Sequence, residues 1–327
     1  MSTSSPIRGL MQPVGEGVRA YFAPVDRGSH TPSIFDPAAA PAFDPNNPAA
    51  PWIDAGWADK FTRTPQTKVE AARLGPASAV SRQFRVNQGA TVELEFREWG
   101  KLQMALAGGA QHMNVLAGSG APGGTSSGSG GAAQPAIALQ SGSTAQELML
   151  GAAASGFQAG DIVAVDIDYA QQTGYIGTGI AAAYVTSAQV ASLQADYIRR
   201  VTLNVARVAA VTDHSLQLER PLLGGAPATA ARVQKVVAFV DREGGNFFQE
   251  WSALFVLPES SGGRICFYYP RLQAAGSPRE GTVKLGEPLR ATTLHALFEA
   301  MAAADANDGE MVYCYRIYFP PARAALY

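Results

Sequence analysis

Between Thr91 and Glu98 the chain alternates strictly, with Val92, Leu94 and Phe96 apolar and Glu93, Glu95 and Arg97 charged. A period of two residues turns one face of an extended strand to a core and the other to solvent, so this stretch reads as a half-buried antiparallel strand. Aromatic and β-branched runs extend the theme at WSALFVLP (251–258), GRICFYYP (263–270) and MVYCYRIYFP (311–320). In the last of these, Tyr313, Tyr315, Ile317 and Phe319 fall on one face, and Val312, Cys314, Arg316 and Tyr318 on the other. Two largely apolar faces predict burial on both sides. Between these blocks, GDIVAVDID, DYIRRVTLNVARVAAV, TDHSLQLERPL and ARVQKVVAFVD read as short strands separated by Gly, Pro and Asp signals. Little of this stretch has helical length, which disfavours a βαβ nucleotide fold.

Two helices are expected. Trp99 to Ala107 shifts to helical spacing, with Leu102 and Leu106 four apart and Gly108-Gly109 as the stop. In Leu294 to Ala304, the residues Leu294, Leu297, Phe298 and Met301 recur at i, i+3, i+4 and i+7 behind Thr292 or Thr293 as N-cap. These four residues form the candidate core face of an amphipathic helix over 293–304, packed on the sheet.

The punctuation divides the chain further. Residues 1–50 carry closely spaced prolines, as in FDPAAAPAFDPNNPAAP, and read as an extended arm with a short strand at Gly17 to Phe22. A disordered tail is the competing reading of that composition. GSGAPGGTSSGSGGAAQP at 118–135 is a Gly/Ser loop, and no Gly-Lys-Ser/Thr follows it to make a phosphate cradle. The resulting organisation is an arm (1–50), a first barrel part (51–156), an inserted β-module (157–235) and a second barrel part (236–327). The arm and the loop are expected to reach neighbouring subunits rather than to complete the subunit's own core.

Hydrophobic residues make up 47% of the 327 residues and charged ones 16%, so fewer charges than usual solvate an isolated chain, as burial between subunits would explain. The formal net charge of -2 lacks the basic excess that gripping a nucleic-acid backbone demands. The N-terminus has no apolar stretch of signal-peptide length, and no run of 18 apolar residues occurs, so synthesis in the cytoplasm without membrane insertion is expected.

No constellation carries chemistry. Cys266 and Cys314 match no zinc spacing and are too few for a disulfide scaffold, which leaves core thiols. His30, His112, His214 and His295 lie far apart and form no ligand pair. Asp161, Asp166 and Asp168 lack the Gly and terminal Glu of a calcium loop. Asp241-Arg242-Glu243-Gly244-Gly245 reads as a charged turn, SSGG at 260–263 as a turn between strands, and GTGIAAAY at 177–184 lacks GxGxxG. The expectation is a non-enzyme without cofactor or metal.

With those residues in place, WIDAGWADKFTRTPQTKVEAARLGPASA (52–79) resembles the opening of bacteriophage major tail tube proteins, a Trp-containing strand followed by small-residue turns. TVELEFREWGKLQMALAGG (91–109) is similar to their strand and short helix ending in glycine, and the likeness resumes from EWSALFVLP to CYRIYFP. The resemblance implies a mainly β chain, a tail-tube-like antiparallel β-barrel or sandwich with a flanking α-helix, here with an inserted small β-module. It further implies stacked rings of six subunits in the virion tail, assembled in the host cytoplasm. Partners would be other copies, terminator, baseplate and sheath proteins, and passing double-stranded DNA held without tight binding. In such a ring Glu93 and Glu95 repeat around the axis and are candidate lumen-facing residues. The alternative is that they pair with basic residues of a neighbouring subunit. The rival function is a carbohydrate-binding or adhesion module of a surface protein.

Overall fold

The computed structural model describes residues 17–26, 28–38, 51–74, 79–98, 100–109, 111–117, 134–166, 183–184, 203–229, 231–242, 249–260, 262–276, 279–286 and 289–320. The chain opens with strands β1 (Val18–Pro24), β2 (Ile53–Leu74) and β3 (Ala79–Phe96), then helix α1 (Lys101–Gly108). Short strands follow as β4 (Gln111–Leu116), β5 (Ile137–Ala138), β6 (Glu147–Met149), β7 (Ile162–Asp166), β8 (Ala183–Tyr184), β9 (Val205–Val211), β10 (Ser215–Leu218) and β11 (Arg232–Arg242). The last part holds β12 (Glu250–Pro258), β13 (Arg264–Ala274), β14 (Arg279–Gly286), β15 (Leu289–Met301), β16 (Ala303–Ala304), β17 (Met311–Val312) and β18 (Tyr315–Phe319).

These elements fall into two units, one of residues 1–25, 31–107 and 250–327, the other of 26–30 and 108–249. In the first, the sheet runs β14-β15-β3-β2-β1-β12-β13-β18, and β15 also pairs with β13. That extra pairing, Arg271–Ala274 against Phe298–Met301, closes β15, β3, β2, β1, β12 and β13 into a six-stranded antiparallel barrel. The protein is therefore of the mainly-β barrel class.

The barrel is built by side chains that alternate along each strand. Val92, Leu94 and Phe96 of β3 are fully buried, as their period-two spacing predicts. Phe22 of β1 lies at the centre of the interior, with ring centroids 6.3 Å from Phe96, 6.3 Å from Trp251, 5.8 Å from Phe255 and 5.7 Å from Phe298. Such offset and edge-on contacts add to the burial of large apolar areas. The opposite faces of β1, β12 and β13 carry a second core, Tyr21, Phe35, Trp52, Leu254, Val256, Cys266 and Tyr268, against which Tyr315, Ile317 and Phe319 of β18 pack.

Phe35 reaches that second core on a strap anchored at Ser33. The Ser33 amide donates to Ser252 Oγ at 2.8 Å, and Tyr268 Oη donates to the Ser33 carbonyl at 2.9 Å. β1 is itself a central barrel strand between β2 and β12. The described part of the N-terminal region thus completes the chain's own core, which corrects the expectation of an arm directed only at neighbours. Residues 1–16, 39–50 and 118–133, the rest of the arm and most of the Gly/Ser loop, lie outside the described residues.

The helix expected after β3 is present as α1, whose Gln103 Nε2 donates to the Ala55 carbonyl at 3.3 Å. The helix expected over 293–304 is not. Residues Leu289–Met301 form β15, paired with β3 on one side and with β14 and then β13 on the other. Leu294 and Phe298 fit a helical stripe and an alternating strand equally well. Ala296 and Ala300 complete the alternating set, and all four are buried in the barrel. Leu297 and Met301 stand on the other face, half-buried. Ladder pairing on both sides outweighs the helical preference of a Leu-, Ala-, Glu- and Met-containing segment.

The last strand is likewise revised. It breaks at Tyr313-Cys314, and in β18 Tyr315, Ile317 and Phe319 are half-buried while Arg316 and Tyr318 are exposed, so only one face is covered.

The second unit holds a sheet in the order β6-β10-β9-β7-β11-β4-β8, with β5 beside β11. Its core joins Leu148 and Leu150 to Val163, Val165, Val208, Leu216, Leu218 and Val233. The module therefore spans 108–249 rather than the expected 157–235. Strands of two or three residues, such as β5 and β6, carry too little periodicity to be read from sequence.

Candidate assembly interface

Glu93 and Glu95 lie on the face of β3 opposite its buried residues, as the alternation requires. Each finds a basic partner within the subunit. Glu95 pairs with Lys60 Nζ at 2.7 Å and Glu93 with His295 Nε2 at 2.6 Å. Lys60 is placed by a register shift between Asp59 and Thr62, where it takes a left-handed φ of 52°. A bulge of this kind re-aims a side chain at the cost of local strain. Beside it Arg97 and Asp59 meet at 2.6 Å, and the guanidinium holds the Asp59 carboxyl below its ordinary range. Such exposed pairs contribute about 0–1 kcal/mol each. They link β2 to β3 and β3 to β15 across a charged outer face.

The candidate helix residues separate. Leu294 and Phe298 are barrel core, whereas Leu297 faces outward opposite Glu93 in the ladder.

Two features of the sheet have no counterpart in the sequence reading. The first is a pair of open edges. Among the described residues β14 pairs only with β15, and β18 only with β13, so each leaves one backbone edge without a strand. They stand at opposite ends of the same sheet order. The second is a ribbon. Beyond the barrel β2 and β3 continue to pair, among the described residues, only with each other, from Gln66 opposite Gly89 to Leu74 opposite Ala79. Residues 64–71 are all exposed, and Val69 and Phe84 show 49% and 51% of their surface. The turn signal Gly75-Pro76 inside one long strand-like run was the clue to this hairpin.

The reactive side chains are engaged in packing. Burial pushes the Cys266 thiol up to about 11 and also raises Cys314, which lies near Arg63 and Tyr269. Arg63 Nε donates to Tyr269 Oη at 2.8 Å. Thiols held protonated are poor nucleophiles. Asp161 pairs with Lys235 at 2.7 Å and accepts from the Gln158 amide at 2.9 Å, so it serves a turn of the second unit. Among the described residues no three His, Cys, Asp or Glu side chains are grouped to hold a metal. His214 sits in an exposed turn, and SSGG at 260–263 is the β12–β13 turn, with Gly262 at a φ of 92°. Asp168 and residues 243–245 lie outside the described residues, as does most of 177–184.

No helix among the described residues is long and apolar enough to cross a membrane. Comparison with protein-family models and with curated proteins finds no match to this chain.

Proposed function

We propose that the chain is a structural subunit whose copies join edge to edge into rings, stacked as a tube of the kind that conducts DNA in a phage tail. The observation that carries this reading is the pair of unlike open edges on one sheet, β18 at one end and β14 at the other. Pairing the β18 edge of one copy with the β14 edge of the next is a heterologous contact, which closes into a ring when the rotation per step divides a full turn. It also covers backbone groups that would otherwise invite uncontrolled strand addition. The low charge content supports burial between copies. The number of copies, six, the virion location, and the terminator, baseplate and sheath partners come from the resemblance to tail tube proteins.

Light scattering and negative-stain microscopy test the reading, with rings of fixed copy number expected. Along a strand, successive amides point alternately to the two neighbours, so one of Arg316→Pro and Ile317→Pro spares the β13 ladder and blocks the outer edge. That variant should melt as the parent does and fail to assemble. A parent chain that stays monomeric at high concentration overturns the proposal, and a sugar-dependent rise in its melting temperature would favour the adhesion module.

A further inference from the structure

The barrel wall changes at one level. β15 pairs with β13 from Arg271 to Ala274, and beyond Met301 the strand β18 takes its place along the same edge, from Tyr315 opposite Tyr268 to Phe319 opposite Arg264. At that level, where Ala300 faces Ala90, β2 and β3 leave the barrel as the ribbon. The inward face beyond is graded in burial. Phe255 and Tyr269 are fully buried, Phe61, Arg63, Phe267 and Cys314 are half-buried, and Arg316 is exposed. Phe267 stands opposite Phe255 in one ladder and opposite Arg316 in the next, so these side chains project from the same face of the sheet. This is a mouth, lined by half-covered rings and by charge.

The charge is of one sign. Arg63 Nε donates to Tyr269 Oη at 2.8 Å and its guanidinium lies 5.7 Å from the centre of the Phe267 ring, which hold it in place. Burial raises the Cys314 thiol while the Arg63 and Arg316 charges both pull it back, so the two guanidinium groups flank one sulfur. Among the described residues neither pairs with a carboxylate. The acid that reaches this face, Glu259, accepts from Tyr318 Oη at 3.2 Å. Two neighbouring cations without an acid between them repel each other, and an anion placed there relieves the repulsion. Guanidinium forks match the oxygens of a phosphoryl group, and the charge of nearly -2 that such a group carries at neutral pH matches the pair.

The geometry points to a binding site for a phosphate monoester at this mouth, its phosphoryl oxygens between Arg63 and Arg316 and its organic part against Phe61 and Phe267. A few placed polar groups on an apolar lining are the ordinary make-up of a small-molecule site. The site is contained in one chain, so it goes beyond the assembly reading and stands or falls separately from it.

Titration of the full chain with phenyl phosphate at constant ionic strength, followed by calorimetry, tests it. Binding should saturate and be several-fold tighter than that of benzoate, which has the ring but one charge, or of inorganic phosphate, which lacks the ring. Arg316→Gln, at an exposed position, should keep the fold and weaken binding about tenfold, as loss of one charge-assisted contact predicts. Arg63→Gln should weaken it at least as much, with the parent's circular dichroism spectrum showing that the barrel persists. Location is read independently: bound phenyl phosphate should slow alkylation of Cys314 by iodoacetamide several-fold, measured peptide by peptide, and Arg316→Gln should reduce that protection at the same ligand concentration. Binding that survives Arg316→Gln unchanged, benzoate or inorganic phosphate held as tightly as phenyl phosphate, or a Cys314 that is not protected overturns the inference.

Discussion

β2 and β3 are the same two strands in two different environments. Inside the barrel, Val92, Leu94 and Phe96 are fully buried and the facing strands leave no choice of register. In the ribbon, the same pairing carries exposed residues, further register shifts between Lys68 and Val69 and between Ala72 and Arg73, and no third strand among the described residues. Cross-strand pairing alone does not distinguish the two halves. What differs is whether a face is covered.

The largest test of that contrast removes a barrel strand. A chain lacking residues 1–24 loses β1 and with it the ladders to both β2 and β12. It should lose the near-ultraviolet signal of the buried barrel residues Trp251 and Tyr269, and a retained signal would mean that the barrel closes without β1.

A smaller effect compares two phenylalanines. Phe22→Ala should cost about 3–5 kcal/mol, since the residue is fully buried among four aromatic rings. Phe84→Ala on the ribbon should change the stability of the separated subunit by no more than ~0.5 kcal/mol. Equal costs in urea titrations would erase the distinction between barrel and ribbon.

The smallest effect concerns alkaline pH. The Cys266 thiol rises from 9.0 to about 11 through burial, and Tyr268 is pushed up to about 12 for the same reason. Above about pH 9 the unfolded chain gives up the thiol proton while the folded chain keeps it. The unfolded state then binds fewer protons, so stability falls as pH rises, by about 2–3 kcal/mol for Cys266 once pH 11 is reached. Tyr268 adds to the loss above pH 10. Cys266→Val should flatten the first part of this decline in melting temperature, and an unchanged slope would show that the thiol does not carry it.

Much of the barrel was legible where one period dominated. Thr91 to Arg97 alternates without exception, and WSALFVLP and GRICFYYP are rich in the aromatic and β-branched residues that favour strands. Leu294 to Ala304 was illegible because Leu294 and Phe298 satisfy both periods, and only the neighbouring ladders decide between them. The second unit was placed too late in the chain because Leu148 and Leu150 join its core from very short segments. Open edges were beyond sequence altogether. Which strand ends a sheet depends on pairings such as Arg271 with Met301, between residues whose nearness follows from closure of the whole barrel. For Glu93 and Glu95 the outward face was legible, but their partners His295 and Lys60 were not, since one comes from a distant strand and the other from a bulge.

The aromatic interior bears on the proposed tube. With Phe22 set among Phe96, Trp251, Phe255 and Phe298, all fully buried, the barrel interior is filled with side chains. No polymer passes through a single subunit. In the ring proposed above, any bore belongs to the assembly, walled by the outsides of several barrels, and its width is set by how many copies close the circle. A substitution that alters the angle between neighbouring copies would therefore change what the conduit admits without touching a residue that lines it.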